Sequence, residues 1–188
     1  AVSRPRDKED VRQLITFALA NGTSLIPRGA GTSLAGQVVG PGIVVDVSKY
    51  MTGIREFNKA GKWVIVEPGV VLSELNKFLA PHGLLFGPET STANRCCIAG
   101  MLGNNSCGLH SIIYGSVRDH ILETEVILSD GSEETFSELS TEEFMLKCEG
   151  DPDKLITRIY RNIKKTLSDK DLRDRIREEY PHPELKRR

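Results

Sequence analysis

The 188-residue sequence has no apolar run of the length a membrane-crossing helix needs. Its opening residues, Ala1, Val2, Ser3, Arg4, Pro5, Arg6 and Asp7, are charged at once and show no apolar leader segment. It has no excess of charge either. The formal net charge of -1 gives no global field toward nucleic acid or acidic membranes. Lys164, Lys165, Lys186, Arg187 and Arg188 are basic but stand among acids, so nucleic acid is not an expected partner. Cys96, Cys97, Cys107 and Cys148 contain no Cys-x-x-Cys pair, which speaks against a disulfide framework and against a zinc site; no metal is expected. Adjacent Cys96 and Cys97 make a strained bridge, so they read as packed free thiols rather than a redox pair. Free thiols suit a cytoplasmic setting, with a membrane-peripheral parent as an alternative. What is present is ordinary for a globular protein: 39% hydrophobic and 27% charged residues, enough for one domain or two small lobes.

Along the chain, Asp7 and Asp10 resemble a capping box before Val11, Leu14, Ile15, Ala18 and Leu19 at helical spacing. Asn21 and Gly22 stop that helix. Residues 24–26 read as a short strand and residues 27–42 as a glycine-rich loop. Residues 43–47 read as a strand buried on both faces. Residues 54–58 and 62–67 flank Ala60 and Gly61 as a hairpin. Leu72, Leu75, Phe78 and Leu79 stripe a second helix, stopped by Pro81, His82 and Gly83. Residues 84–86 read as a strand, and residues 87–115 as a long glycine-, asparagine- and serine-rich loop. Residues 125–128 and 133–136 form a hairpin around residues 129–132. Ser140 and Glu143 cap a short helix closed near Gly150. Asp151 and Pro152 then start a helix striped by Leu155, Ile156, Ile159, Ile163 and Leu167. Residues 169–179 read as a solvated helix face. The fold class is α+β, with lobes at 1–85 and 86–137 and a helical extension at 138–188.

The first glycine-rich stretch follows a strand directly. Its glycines permit positive φ and let backbone amides converge on one point, a concavity that binds anions. Thr32 and Ser33 add hydroxyls, and Arg28 adds a charge. A diphosphate fits; a tight turn without a ligand is the alternative. Familiar motifs miss: there is no Gly-Lys-Ser/Thr, a dinucleotide fingerprint meets Leu34 where it needs glycine, and a nucleophile elbow meets Ala35. The second stretch is long enough to suggest function. Its small residues permit close approach of a planar heteroaromatic ring, and its amides supply donors.

Five motifs then occur in order: Pro-Arg-Gly-Ala-Gly-Thr-Ser at 27–33, Val-Glu-Pro-Gly-Val at 66–70, Pro-Glu-Thr-Ser-Thr at 88–92, Ala-Gly-Met-Leu-Gly-Asn-Asn-Ser-Cys-Gly at 99–108, and Tyr-Gly-Ser-Val-Arg-Asp-His at 114–120. Together they resemble the FAD-binding domain of the vanillyl-alcohol oxidase and p-cresol methylhydroxylase superfamily. Within it, they are most similar to the D-lactate dehydrogenase, glycolate oxidase and D-2-hydroxyglutarate dehydrogenase branch. The resemblance implies a two-lobed fold and FAD. It places Pro27, Arg28, Gly29, Ala30, Gly31, Thr32 and Ser33 around the pyrophosphate. It places Pro88, Glu89, Thr90, Ser91, Ile98, Gly100 and Met101 along the ribityl chain and flavin. Asn105, Ser106 and Gly108 line the ring or diphosphate, Tyr114 belongs to the same site, and Ile121 and Val126 offer backbone contacts at the far end. Some relatives carry a histidine in the first loop that bonds covalently to flavin. Thr32 matches that position, so FAD is expected to be held without a covalent bond.

The resemblance further implies a parent enzyme that oxidises a small 2-hydroxy acid and passes electrons to quinone, an iron–sulfur relay or another acceptor. Catalysis in this family uses a second, substrate-binding domain, so the chain is expected to be the flavin-holding fragment, inactive alone, with its tail linking onward. Alternatives are a non-redox flavin transferase, a nucleotide-binding module without catalysis, and, more weakly, an acyl hydrolase using Ser33 or Ser106. His82 reads as a helix cap; His110 and His120 as surface or hydrogen-bonding residues. Glu89 reads as positioning backbone, Trp63 as core or sheet surface, and Cys107 as a small residue of the flavin loop.

Overall fold

The computed structural model describes residues 1–180; the tail features expected from Pro181 onward lie outside the described residues. They fall into two compact units, Ala1–Glu133 and a second beginning at Glu134.

The first unit opens with β1 (Val2–Ser3) and α1 (Lys8–Ala20). Asp7 caps α1, accepting from the Glu9 and Asp10 amides, while Asp10 reaches back to the Arg6 amide. Helical spacing buries Ile15 and Ala18 but leaves Leu19 exposed. β2 (Leu25–Arg28) and β3 (Ile43–Asp46) join β1 in a parallel sheet ordered β1-β3-β2. Two expectations change here. The strand expected at 24–26 continues through Pro27 and Arg28, because β3 supplies a parallel partner, Pro27 opposite Val45 and Arg28 opposite Asp46. Pro27 is tolerated because it lies on an edge strand. β3 is central as expected, yet only Val45 and Asp46 are fully buried in it.

β4 (Ile54–Asn58) and β5 (Trp63–Val66) form the expected antiparallel hairpin. α2 (Leu72–Leu79) follows, and a 3-10 turn at Ala80–His82 ends at Gly83 in the left-handed region. His82 does not act as a simple cap: its ring stacks on Phe57 at 4.6 Å between centroids. The strand expected at 84–86 does not form. The Asn76 side chain serves instead as its partner, Oδ1 accepting from the Phe86 amide at 2.8 Å and Nδ2 donating to the Phe86 carbonyl. The 87–115 stretch is also more regular than its composition suggests, holding α3 (Ile98–Gly103) and α4 (Ser111–Tyr114), with a 3-10 turn at Val117–His120 after it. β6 (Glu123–Ile127) runs to a turn closed by the Leu128 amide on the Ser132 carbonyl.

The core of this unit is Val70, Leu72, Leu75, Leu79, Cys96, Ile98, Met101 and Val117, with Ile54, Phe57, Val64 and Val66 packed on it. Leu72 and Leu75 are almost completely buried, each contributing about 1.5–3 kcal/mol from water exclusion. This core holds α3 against α2 and the hairpin, and so fixes the second glycine-rich stretch.

β7 (Glu133–Ser137) leads into the second unit, with α5 (Thr141–Glu149), α6 (Leu155–Ser168) and α7 (Lys170–Glu179). The Ser140–Glu143 capping box is formed in both directions. Arg161 donates to the Cys148 and Gly150 carbonyls, satisfying the end of α5. Asp151 and Pro152 do not start α6. Asp151 accepts from the Asp153 amide in a local turn, and the helix begins at Leu155 after an uncapped Lys154. Its buried face is Ile156, Thr157 and Tyr160, with Phe144 edge-on to Tyr160; Ile163 and Leu167 of the expected stripe are exposed. α7 buries none of its residues, as its charge pattern predicts.

Candidate cofactor-binding site

β2 delivers Arg28 to the carboxyl end of the parallel sheet, where open α/β sheets hold ligands. The chain leaves the sheet at Gly29. Gly31 has φ +70°, which glycine adopts without strain. The Arg28 side chain folds against it, so that a methyl group there would stand 3.0 Å from Nε. Arg28 Nε is buried and has no hydrogen-bond partner among the described residues. A buried unpaired donor costs about 1–3 kcal/mol; an anion in the loop relieves that cost.

Asp46 lies opposite Arg28 in the sheet register. Burial pushes its carboxyl up, but the Ser48 hydroxyl and amide, at 2.6 and 3.0 Å, together with the charges of Arg28 and Arg4, hold it below its ordinary value. It stays ionised and partly balances Arg28.

The two glycine-rich stretches meet. Gly29 packs on Cys97, a contact the sequence reading missed because 68 residues of chain separate them. Ser33 Oγ donates to Gln37 Oε1, and Gln37 Nε2 donates to Asn104 Oδ1 at 3.4 Å, just past α3. No local pattern marks Gln37, Cys97 or Asn104 as part of one site.

In the second stretch, Pro88 is buried. Glu89 Oε1 lies 2.9 Å from His110 Nδ1. Thr90 Oγ1 contacts Thr92 Oγ1 and Cys96 Sγ, and Ser91 is exposed beside them. Ile98 and Met101 are core residues, so their side chains are taken up by packing; Gly100 between them is exposed. Asn105 holds φ +43°, with Oδ1 accepting from the Arg118 amide. The Ser106 amide donates to the Met101 carbonyl, and the Ser106 carbonyl accepts from Val117. Gly108 sits so close to Glu89 that a methyl group there would stand 2.1 Å from the Glu89 carbonyl oxygen. The Tyr114 carbonyl is bonded by His120 Nε2 at 2.6 Å. Ile121 packs on the core, while Val126 lies in β6, the strand beside α1. Leu109, Ile112 and Ile113 stand in solvent along the stretch, Ile112 at 97% exposure.

The sequence model of the FAD binding domain matches residues 1–137. The chain belongs to this FAD binding domain family. D-2-hydroxyglutarate dehydrogenase of Pseudomonas putida is 42% identical over 130 residues, which is 68% of this chain and 13% of that enzyme. The mitochondrial D-lactate dehydrogenase (cytochrome) of Kluyveromyces lactis is 34% identical over 132 residues, 68% of this chain and 23% of that one. Among solved structures, 6-hydroxy-D-nicotine oxidase of Arthrobacter nicotinovorans superposes with TM-score 0.66 at 25% identity, covering 72% of this chain and 29% of that one. Alkyldihydroxyacetonephosphate synthase superposes with TM-score 0.63 at 21% identity, over 72% of this chain and 25% of that one, and shares the fold. This FAD binding domain thus spans a minor part of the relatives it matches.

The residues present fit FAD. The unpaired Arg28 donor and the bare backbone at 29–31 suit a diphosphate. The exposed Gly100, with nothing within 4 Å of the place a side chain would take, leaves room for a flat ring. Among the described residues no helix is long and apolar enough to cross a membrane.

Proposed function

We propose that this FAD binding domain is the flavin-holding part of an enzyme that oxidises a small D-2-hydroxy acid to its 2-oxo acid. One observation carries the reading: Gly29 on Cys97 and Gln37 on Asn104 join the two glycine-rich stretches into a single cradle. The 42% identity to a D-2-hydroxyglutarate dehydrogenase supplies the substrate class.

Bound FAD supplies the two-electron acceptor; the protein supplies position and field. Backbone amides at 29–33, with the Thr32 and Ser33 hydroxyls and the Arg28 charge, hold the diphosphate. Residues 88–91 and the backbone of 98–101 lie along the ribityl chain and ring. Asn105, Ser106, Gly108 and Tyr114 close the ring side, and the backbones of Ile121 and Val126 hold the far end. Thr32 offers no imidazole, so the cofactor is held without a covalent bond. Residues 1–85 and 86–137 act as the two lobes of this cradle, and residues 138–188 lead toward a substrate-binding domain. The parent works in the cytoplasm, where free thiols persist, and hands electrons to a separate acceptor.

The test uses the full-length protein. Its oxidised-flavin spectrum should bleach when D-2-hydroxyglutarate, D-lactate or glycolate is added without oxygen. Bound flavin that none of these reduces points instead to a non-redox transferase. A denaturing gel that keeps flavin fluorescence on the protein band refutes non-covalent binding.

A further inference from the structure

Cys96 and Cys97 adjoin in sequence but serve different neighbours. Cys96 Sγ lies 3.5 Å from Met101 Sδ and 3.3 Å from Thr90 Oγ1, inside the core. Cys97 faces the other way, toward the first glycine-rich loop. A methyl group on Gly29 would stand 2.9 Å from Cys97 Cβ and 3.2 Å from Sγ. The Ala30 amide stands close enough to the Cys97 sulfur to favour its thiolate form, while the thiol itself donates weakly to the Arg95 carbonyl at 3.9 Å. We propose that Cys97 is a positioning residue for the diphosphate: packed on the bare Cα of Gly29, it sets where the amides of residues 29–33 meet FAD. The inference rests on the functional reading above.

Cys97 is the fixed partner of this contact. It is 2% exposed. Its backbone is pinned by the bridge to Val71, and its neighbours by the Leu72 amide on the Cys96 carbonyl and the Ile98 amide on the Val70 carbonyl. The loop carries no such ladder beyond Arg28. It is therefore the loop that yields when the contact is crowded. A thiol suits the place chemically. It is small enough for the gap, soft, able to donate a weak hydrogen bond to the Arg95 carbonyl, and neutral. Burial raises its pKa, against the Ala30 amide, which lowers it, while Cys96 and Asp46 add to the rise. The thiol itself therefore adds no negative charge beside the anion site.

The contact predicts a steric exchange. In the full-length protein stripped of flavin, Cys97→Val and Gly29→Ala should each weaken FAD binding about tenfold or more, and Cys97→Ser should stay within about threefold of the wild type. The double variant Gly29→Ala with Cys97→Gly moves the methyl group to the other side of the same gap, and should recover most of what Gly29→Ala loses. ADP carries the diphosphate without the flavin ring, so its competition against FAD should weaken in Cys97→Val by the same factor. A role in stability alone shifts melting temperature and leaves the ADP competition untouched. Wild-type affinity in Gly29→Ala, or no recovery in the double variant, overturns the proposal even if Cys97→Val fails to fold. A wild-type protein that takes up no FAD overturns the functional reading, and this proposal with it.

Discussion

Residues 27–36 and residues 87–115 are both glycine-rich, yet they are held by different means. The second stretch is laced to the core: Ile98 and Met101 are buried in it, and backbone bonds run from 96–99 to 68–72. Gly108 closes it against Glu89. The first stretch has one firm foot, Gly29 on Cys97, and then runs into solvent, with Leu34 and Gly36 exposed and no atom near Gly36 to pack on. The difference separates two tasks. Under the proposed function, the core-laced stretch would serve the ring's side of the cradle, and the looser one would offer its amides and the Arg28 charge to the diphosphate.

The largest effect should come from the core beneath the core-laced stretch. Leu75→Ala is expected to cost about 2–5 kcal/mol in urea unfolding, whereas Leu34→Ala, on the fully exposed part of the first loop, should stay within about 0.5 kcal/mol. Equal losses would erase the contrast. Next comes Gly108→Ala. Its methyl group meets backbone, which cannot swing aside, so it should cost about 1–3 kcal/mol and lower FAD uptake. Gly36→Ala meets no neighbour and carries only the strain of φ +78°, about 1 kcal/mol, with FAD affinity nearly unchanged. Calorimetry with FAD titration compares the pair. The last test is Asp46→Asn, expected to cost on the order of 1 kcal/mol, from lost Ser48 bonds and the Arg28 and Arg4 charges. Its folded carboxyl holds its proton less tightly than an unfolded one. That contribution is complete above the ordinary value of 3.8 and is lost as pH falls through the lower folded value. An acid titration of both proteins should show their stabilities converging there.

Much of the fold is legible locally. Helical spacing marks α1, α2 and α6, and Ser140 with Glu143 marks the start of α5. Two misreadings come from a partner outside the segment: Asn76 takes the place of a strand beside Phe86, and β3 extends β2 into the supposed loop. Two others do not: Asp151 closes a local turn instead of starting α6, and Ile163 with Leu167 keeps helical periodicity while staying exposed. The site residues divide the same way. Residues 27–33 and 88–108 stand out by composition, but Cys97 reads as an idle thiol and Gln37 as nothing at all.

The sequence by itself determined the family, because five motifs at 27–33, 66–70, 88–92, 99–108 and 114–120 occur in the family's order, and such an order is visible without coordinates. Only the tertiary structure decided that the two glycine-rich runs touch, and which of their side chains are lost to the core. Those outcomes depend on α3 being docked by the packing of Leu72, Leu75 and Val117, and packing joins residues by distance in space rather than by position in the chain.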